Sequence, residues 1–225
     1  TGLAQSGWKE VSEGAIQKNL FAGGRYKPET YRLFQLDETS LETNLKQAPT
    51  RSMVPATLSS FILTIPNSDG RPERFKAVES PVMEPALATK YPGIKTYVGQ
   101  GIDDPSATIH FDFSPRGFHA MVLSADRKTM YIDPVDREGK YYMVFSRKDV
   151  MNYKKEFRCL TKESADNAVL DAPAPTSGET GRGADDGKLR TYRLALACTG
   201  EYAQYFLNGT EPDDAAKKAK VLAAM

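Results

Sequence analysis

The chain has 225 residues, of which 40% are hydrophobic and 26% charged, a composition typical of a globular protein. Its formal net charge is +1 at pH 7, so no overall electrostatic field favours nucleic acid or an anionic membrane. No apolar run approaches the roughly 18 residues that a membrane-spanning helix needs. The length fits one large domain, or one domain and part of a second.

Residues 12–37 predict a short helix followed by a strand. Ser12 is a candidate N-cap, and the pair Gly23-Gly24 would end the helix. Residues 31–37 (YRLFQLD) alternate apolar and polar side chains, as a half-buried strand does. We interpret the polar residues 38–55 as a connector.

The next residues predict a β-hairpin and then a short helix. Phe61, Leu63 and Ile65 fall on one face of a strand, NSDG supplies the turn, and RFKAVES forms the returning strand. Pro85 at a first-turn position, with Pro92 beyond the last turn, predicts a helix of about two turns.

Residues 94–147 contain closely spaced strand candidates: IKTYVGQ, ATIHFDFS, GFHAMVLS, TMYIDP and YYMVFSR. Connections this short join antiparallel neighbours, because a parallel crossover needs a dozen or more residues. Residues 31–147 are therefore predicted to form an antiparallel, β-rich domain that carries a short helix.

A change in composition marks residues 163–188. They contain no aromatic residue, and Val169 and Leu170 are their only large aliphatic residues. Such a segment cannot bury enough surface to offset its ordering entropy, which predicts a flexible linker. Arg182, Lys188 and Arg190 offer sites for a protease. A linker that is never cut is the alternative interpretation.

A second folded region is predicted after the linker. The apolar run in residues 189–199 (LRTYRLALACT) is typical of a strand covered on both faces. Thr199 is a candidate N-cap for a helix over TGEYAQYFL, and Asp213 and Asp214 lie at the positive end of a second helix. We expect a truncated α/β domain here, and an α+β class for the chain.

The inventory of chemically reactive side chains is short. The chain has no H-E-x-x-H, C-x-x-C or G-x-S-x-G motif. We interpret His110 and His119 as structural or surface residues of strands rather than metal ligands. Asp103 and Asp104 favour a turn over a Ca²⁺ site, because two carboxylates are too few ligands. Asn208 begins a glycosylation sequon, which is a weak signal.

Two parts of the chain resemble one family. Residues 95–124 (KTYVGQGIDDPSATIHFDFSPRGFHAMVLS), with the later MYIDPV and YYMVFSRKD, resemble the propeptide of secreted bacterial metallopeptidases of the reprolysin (adamalysin) type. Residues 189–206 (LRTYRLALACTGEYAQYF) are similar to the first strand and helix of that family's catalytic domain. The resemblance implies a secreted zymogen whose signal peptide is already absent. Residues 1–162 would be the inhibitory and chaperoning prodomain, 163–188 a cleavable linker, and 189–225 the N-terminal fragment of an α/β metzincin domain.

The resemblance also implies a cofactor and partners. The parent enzyme would bind zinc through an H-E-x-x-H-x-x-G-x-x-H helix beyond Met225, so we assign no catalytic residue to this chain and expect no peptide hydrolysis from it. The prodomain's partners would be its own catalytic domain and an activating protease. A non-enzymatic, β-rich extracellular binding or adhesion module is the rival hypothesis.

Cys159 is the candidate inhibitory ligand under this resemblance. A propeptide thiolate can occupy the open coordination position of zinc, and Lys155 and Arg158 would favour that thiolate. Two alternatives stay open. Cys159 forms a disulfide with Cys198, or it is an inert, half-buried apolar residue. Cys198, inside an apolar run, favours a core or disulfide position over a zinc ligand.

Overall fold

The computed structural model describes residues 6–15, 28–135, 139–150, 198–207, 209 and 211–225. Residues 1–153 and 198–225 belong to one compact unit, and residues 154–197 belong to another. The fold below is that of the first unit. The predicted linker 163–188 and most of the predicted strand 189–199 lie outside the described residues.

One antiparallel sheet dominates the described part of the chain. Its strand order is β1-β2-β9-β8-β7-β6-β5-β4-β3, and every pairing is antiparallel. The strands are β1 (Trp8–Val11), β2 (Arg32–Leu36), β3 (Ile62–Pro66), β4 (Pro72–Glu79), β5 (Lys95–Gly101), β6 (Thr108–Ser114), β7 (Gly117–Leu123), β8 (Met130–Pro134) and β9 (Tyr141–Ser146). The predicted antiparallel, β-rich fold is confirmed, including the β3–β4 hairpin.

The helices that the described residues form are short. They are α1 (Glu38–Leu45), α2 (Pro85–Lys90), α3 (Gly200–Phe206) and α4 (Asp214–Ala224), with 3-10 turns at Glu13–Ala15, Ala56–Leu58 and Arg147–Val150. The helix predicted after Pro85 is confirmed. So are the two predicted after the linker, with Thr199 and Asp213 as the N-caps of α3 and α4.

The prediction of a connector at residues 38–55 is wrong at its start, where α1 forms. Asp37 caps this helix by accepting a hydrogen bond from the backbone N of Ser40 over 3.1 Å. Leu41 and Leu45 lie one turn apart on the same face, and both are buried in the core. These two side chains attach one face of the otherwise polar helix to the core.

The helix predicted between Ser12 and Gly24 is not seen at its start. Residues 13–15 form a 3-10 turn, and the rest of the helix predicted up to Gly24 lies outside the described residues. Strand β1, which the sequence analysis did not predict, pairs along β2 from Trp8 opposite Leu36 to Val11 opposite Leu33.

The sheet curls around a main apolar core, and a second, smaller cluster is formed by Leu33, Val135, Met143 and Phe145. The ring of Trp8 on β1 packs edge-to-face against Phe118 on β7, with centroids 5.7 Å apart, although other strands separate these two in the sheet. A Cβ added at Gly70, in the β3–β4 turn, would lie 2.9 Å from Nη1 of Arg32 on β2. The β3–β4 hairpin lies at one edge of the sheet, and its turn therefore lies close to β2, which is next to the strand at the other edge.

The strand register defines two ends of this curled sheet. The end that we call the α1 end carries α1, the β6–β7 turn between Ser114 and Gly117, and the start of β9. The opposite end, which we call the loop end, carries the β3–β4 turn, the β5–β6 loop and the β7–β8 loop.

Candidate functional site

Most of the residues predicted to carry function lie outside the described part of the chain. These are Cys159, Arg182, Lys188, Arg190 and Asn208. The thiolate switch, the cleavage region and the sequon therefore stay predictions.

Cys198 is described, and it lies just before the N-cap of α3. Its side chain is exposed and its thiol is free in the structure. The expectation of a core position for Cys198 is therefore wrong. Its pairing with Cys159 stays a prediction, because Cys159 is outside the described residues.

The two histidines lie on the outer face of the β6–β7 hairpin. Ile109 and Phe111 point into the core, so His110 between them points outward. The register sets His119 opposite Asp112, with 3.4 Å between Nδ1 and Oδ1, and His110 opposite Met121. Within the described ranges, no three His, Cys, Asp or Glu side chains form a group that could hold a metal ion.

Asp103 is bonded to an arginine on the neighbouring hairpin. Its Oδ1 lies 2.6 Å from Nη2 of Arg74, and its Oδ2 accepts from the Arg74 backbone N over 2.8 Å. The hydrogen bonds from the Arg74 side chain are the main reason why the pKa of Asp103 is lowered. This carboxylate anchors the β5–β6 loop to β4.

Asp104 forms the turn that the sequence predicts before Pro105. Its carboxylate accepts from the hydroxyls of Ser106 and Ser124, each over 2.7 Å, and from Nη2 of Arg127 over 3.0 Å. These bonds, that from the Ser106 hydroxyl most of all, hold the pKa of Asp104 far below its ordinary value of 3.8. The bonded carboxylate ties the β5–β6 loop to the β7–β8 loop.

Arg127 joins this network to a buried carboxylate. Glu73 lies on the core face of β4, and its side chain is only 4% exposed. The two guanidinium nitrogens of Arg127 donate to its two oxygens over 2.6 and 2.9 Å. Bonding to Glu73 is the main reason why the pKa of Arg127 is raised. We call this network the loop-end cluster; its members are Glu73, Arg74, Asp103, Asp104 and Arg127.

The loop-end cluster acts as a clamp, by which we mean that its ion pairs connect β4 to the β5–β6 and β7–β8 loops. Each of its carboxylates accepts from a guanidinium at hydrogen-bond distance, and the bonded atoms come from β4 and two separate loops. The cluster closes the loop end of the curled sheet over the core. Alternation of apolar and polar residues does not predict this cluster, because its bonded partners are far apart along the chain.

A second polar contact ties α1 to the sheet. Tyr142 on β9 donates to Oε1 of Glu38 over 2.6 Å and accepts from the backbone N of Phe118 over 3.1 Å. Gly117 and Gly139 have φ of +94° and +73° and pack against these groups. A Cβ at Gly117 would lie 2.7 Å from the Tyr142 oxygen, so only glycine fits there.

An open depression of about 540 Å³ lies beside this contact. It is lined by Gly7, Lys9, Gln35, Leu36, Asp37, Glu38 and Lys140. Its two carboxylates are engaged within the protein, since Asp37 caps α1 and Glu38 accepts from Tyr142. The depression offers charges of both signs, so its electrostatics select no single class of ligand.

The α1 end also contacts helix α3, which follows the predicted linker. The guanidinium carbon of Arg116, in the β6–β7 turn, lies 4.7 Å from the ring centroid of Phe206 on α3. Phe206 also packs against Tyr202 and Tyr205, with centroids 4.8 and 5.1 Å away. No local pattern in the sequence indicates this contact, because Arg116 and Phe206 are far apart along the chain.

The comparisons add no relative. No protein-family model, no curated protein and no solved structure matches the chain. In the described part of the chain, no helix combines the length and apolar character needed to cross a membrane.

Proposed function

We propose that residues 1–162 are the prodomain of a secreted zinc metalloendopeptidase of the reprolysin type. The prodomain keeps the peptidase latent and assists its folding. Residues 163–188 are the linker that an activating protease cuts, and residues 189–225 open the catalytic domain.

One observation supports the proposal: the sheet formed within residues 8–146, which we call the β unit, has a core of its own before the predicted linker. All the strands in the described part of the chain pair with one another within residues 8–146, and the core residues on them include Phe34, Phe75 and Phe118, each 0% exposed. A prodomain that blocks a cleft and assists folding has to fold without help from the catalytic domain. A sheet with both ends closed, by α1 and by the loop-end cluster, meets that requirement.

Zinc belongs to the proposed peptidase, and the resemblance expects its ligands after Met225. Among the described residues we assign no zinc ligand and no catalytic residue. Cys159 remains the proposed inhibitory ligand. When bound, zinc would supply the Lewis acid of peptide hydrolysis, and the Cys159 thiolate would take the position of its water.

The test uses the longer protein with its linker intact or resistant to cleavage. The triple variant Arg182→Gln, Lys188→Gln, Arg190→Gln removes the basic sites between residues 182 and 190. We expect trypsin to release zinc-dependent peptide hydrolysis from the parent protein and not from the variant. Equal activation of both would remove the case for a maturation site in this segment.

Cys159→Ala, with Cys198→Ala as its matched control, separates the two modes of inhibition. Latency lost in Cys159→Ala alone indicates the thiolate switch. Latency kept in both variants indicates steric occlusion of the cleft, and latency lost in both points to the disulfide.

A specific observation favours the rival hypothesis of a binding module. Strand β3 ends the sheet, and Leu58 and Ile62 near it are 72% and 51% exposed. An exposed apolar edge is a common site for peptide or protein binding. A parent protein that hydrolyses no peptide before or after cleavage, with zinc supplied, would favour this alternative.

A further inference from the structure

The contact between Arg116 and Phe206 joins parts of the chain that lie on opposite sides of the predicted linker. Arg116 belongs to the β unit, and Phe206 belongs to α3. Residues 151–197 connect the two covalently. A non-covalent contact across such a connection is a candidate means of holding the prodomain in place.

The β-unit side of this contact is held rigidly. The backbone N of Arg116 donates to the Ser114 hydroxyl over 3.3 Å. The next residue, Gly117, packs against Tyr142, which is in turn bonded to α1. The backbone of the turn is therefore ordered before the contact forms, and only the side chain of Arg116 has to lose conformational freedom.

The helix side presents an aromatic cluster. Tyr202 and Tyr205 flank Phe206 and are 37% and 50% exposed. Tyr202 also donates to the backbone oxygen of Ala224 over 2.8 Å, which ties α3 to the end of α4. A guanidinium is weakly hydrated and stacks well on an aromatic face, so the two sides suit each other chemically.

The expected free energy of the Arg116–Phe206 contact decides whether it can hold α3 against the β6–β7 turn. One cation–π contact changes an equilibrium by about 2- to 30-fold. That factor alone does not hold two separate fragments together at micromolar concentration. A covalent tether raises the local concentration about a thousandfold, from micromolar to the millimolar range, so the contact is populated far more in the tethered chain than between separate fragments.

We propose that the β6–β7 turn is a tether-dependent docking point for helix α3, with Arg116 bound to Phe206. The contact forms while residues 151–197 connect the two sides, and it is lost when that connection is cut. The regulatory part of this inference rests on the proposed function, because it explains how a single cut frees the prodomain.

The chain offers a direct distance measurement. Trp8 is its only tryptophan, and it contacts Phe118 beside the β6–β7 turn. Cys198 is exposed just before α3, and Cys159→Ala leaves it as the only cysteine. Energy transfer from Trp8 to a dansyl group on Cys198 therefore reports the approach of α3 to the α1 end.

We expect strong transfer in the intact chain and weaker transfer in Arg116→Gln and in Phe206→Leu. Arg116→Lys keeps a cation, so its energy transfer should lie between that of the parent and that of Arg116→Gln. The ratio of docked to undocked chain should fall about 2- to 30-fold in Arg116→Gln. In the Phe206→Leu background, Arg116→Gln should cause no further fall. Unchanged transfer in Arg116→Gln would overturn the docking point.

Whether docking depends on the covalent connection is tested by cutting that connection. A recognition sequence for a site-specific protease replaces residues 176–182, and transfer is followed at micromolar protein during digestion. We expect transfer to be lost as the chain is cut, while the thermal unfolding of the β unit is unchanged. Transfer that persists after complete cutting would overturn the tether dependence.

These outcomes separate the inference from the proposed function. A prodomain that inhibits the peptidase, with no effect of Arg116→Gln on transfer, rejects the docking point alone. Transfer that depends on Arg116, in a protein without latent peptidase activity, rejects the proposed function alone.

Discussion

Arg127 donates two hydrogen bonds to the buried carboxylate of Glu73, over 2.6 and 2.9 Å, and so connects the β7–β8 loop to the start of β4. Removing the arginine leaves Glu73 without its counter-ion inside the loop end. We expect Arg127→Met to lower the free energy of unfolding by about 3 kcal/mol, near the low end for a buried pair because Arg127 is itself half-exposed. Urea unfolding followed by Trp8 fluorescence measures this.

Arg74→Met is the matched control. Arg74 and Asp103 form an ion pair with both side chains well exposed, so its loss should cost less than about 1 kcal/mol. The double variant Glu73→Leu, Arg127→Met should recover part of the stability lost in Arg127→Met, because no carboxylate is then buried without a partner. Equal losses in Arg127→Met and Arg74→Met would contradict the larger contribution expected from the buried Glu73–Arg127 pair.

Tyr142→Phe tests the attachment of α1 to the sheet. The change removes the hydroxyl that donates to Glu38 and accepts from the backbone N of Phe118. We expect a loss of about 1–3 kcal/mol, since groups with little access to water lose their partner. Tyr131→Phe is the control, because that ring is held by stacking on Phe145. A loss in Tyr142→Phe no greater than in the control would show that this contact does not hold α1.

The sequence predicted the elements whose signal is local. The β3–β4 hairpin was found because Leu63 and Ile65 alternate with polar residues and a turn sequence follows. The helix α1 was missed because its composition is polar, although Asp37 before it and the spacing of Leu41 and Leu45 are a cap and one apolar face. Strand β1 is too short for alternation to be recognised.

Contacts between distant residues were beyond prediction. Glu73 and Arg127 are 54 residues apart, and Glu38 and Tyr142 are 104 apart. The curl of the sheet brings each pair together, and no periodicity encodes that curl. For the same reason, the sequence predicted a turn at Asp103 and Asp104 but not the arginines that bind them.

Gly117→Ala tests the close packing at the β6–β7 turn. Alanine is strained at a φ of +94°, and its Cβ would lie 2.7 Å from the Tyr142 oxygen. We expect a loss of at least about 1 kcal/mol in thermal or urea unfolding. Gly93→Ala is the control, because a Cβ there meets nothing within 4 Å and the φ lies outside the left-handed region. A neutral Gly117→Ala would mean that the turn shifts freely.

The pKa of Asp104 gives the pH dependence of stability. The pKa is lowered in the folded state from its ordinary value of 3.8, so folding favours the ionised carboxylate. The contribution of Asp104 to the free energy of unfolding is complete above pH 3.8. It is lost as the pH falls towards the lowered pKa that the carboxylate has in the folded protein. Stability should therefore fall below about pH 4.

Asp104→Asn isolates this contribution. The variant should melt at a lower temperature at pH 7, and its melting temperature should depend less on pH below about pH 4. Parallel curves for the parent and Asp104→Asn across that range would assign the acid sensitivity to other carboxylates. The pKa values of Asp37 and Asp103 are lowered in the same direction, so part of the dependence should persist in the variant.

The measurement that tests the central claim most directly is a titration of the mature peptidase with purified, folded residues 1–162. Folding of the added fragment is checked beforehand by its cooperative thermal unfolding. The account predicts inhibition of peptide hydrolysis that saturates only well above micromolar fragment, because the docking contact is weak without its tether. The same fragment should not inhibit after it has been unfolded and trapped. Full peptidase activity in the presence of excess folded fragment would contradict it.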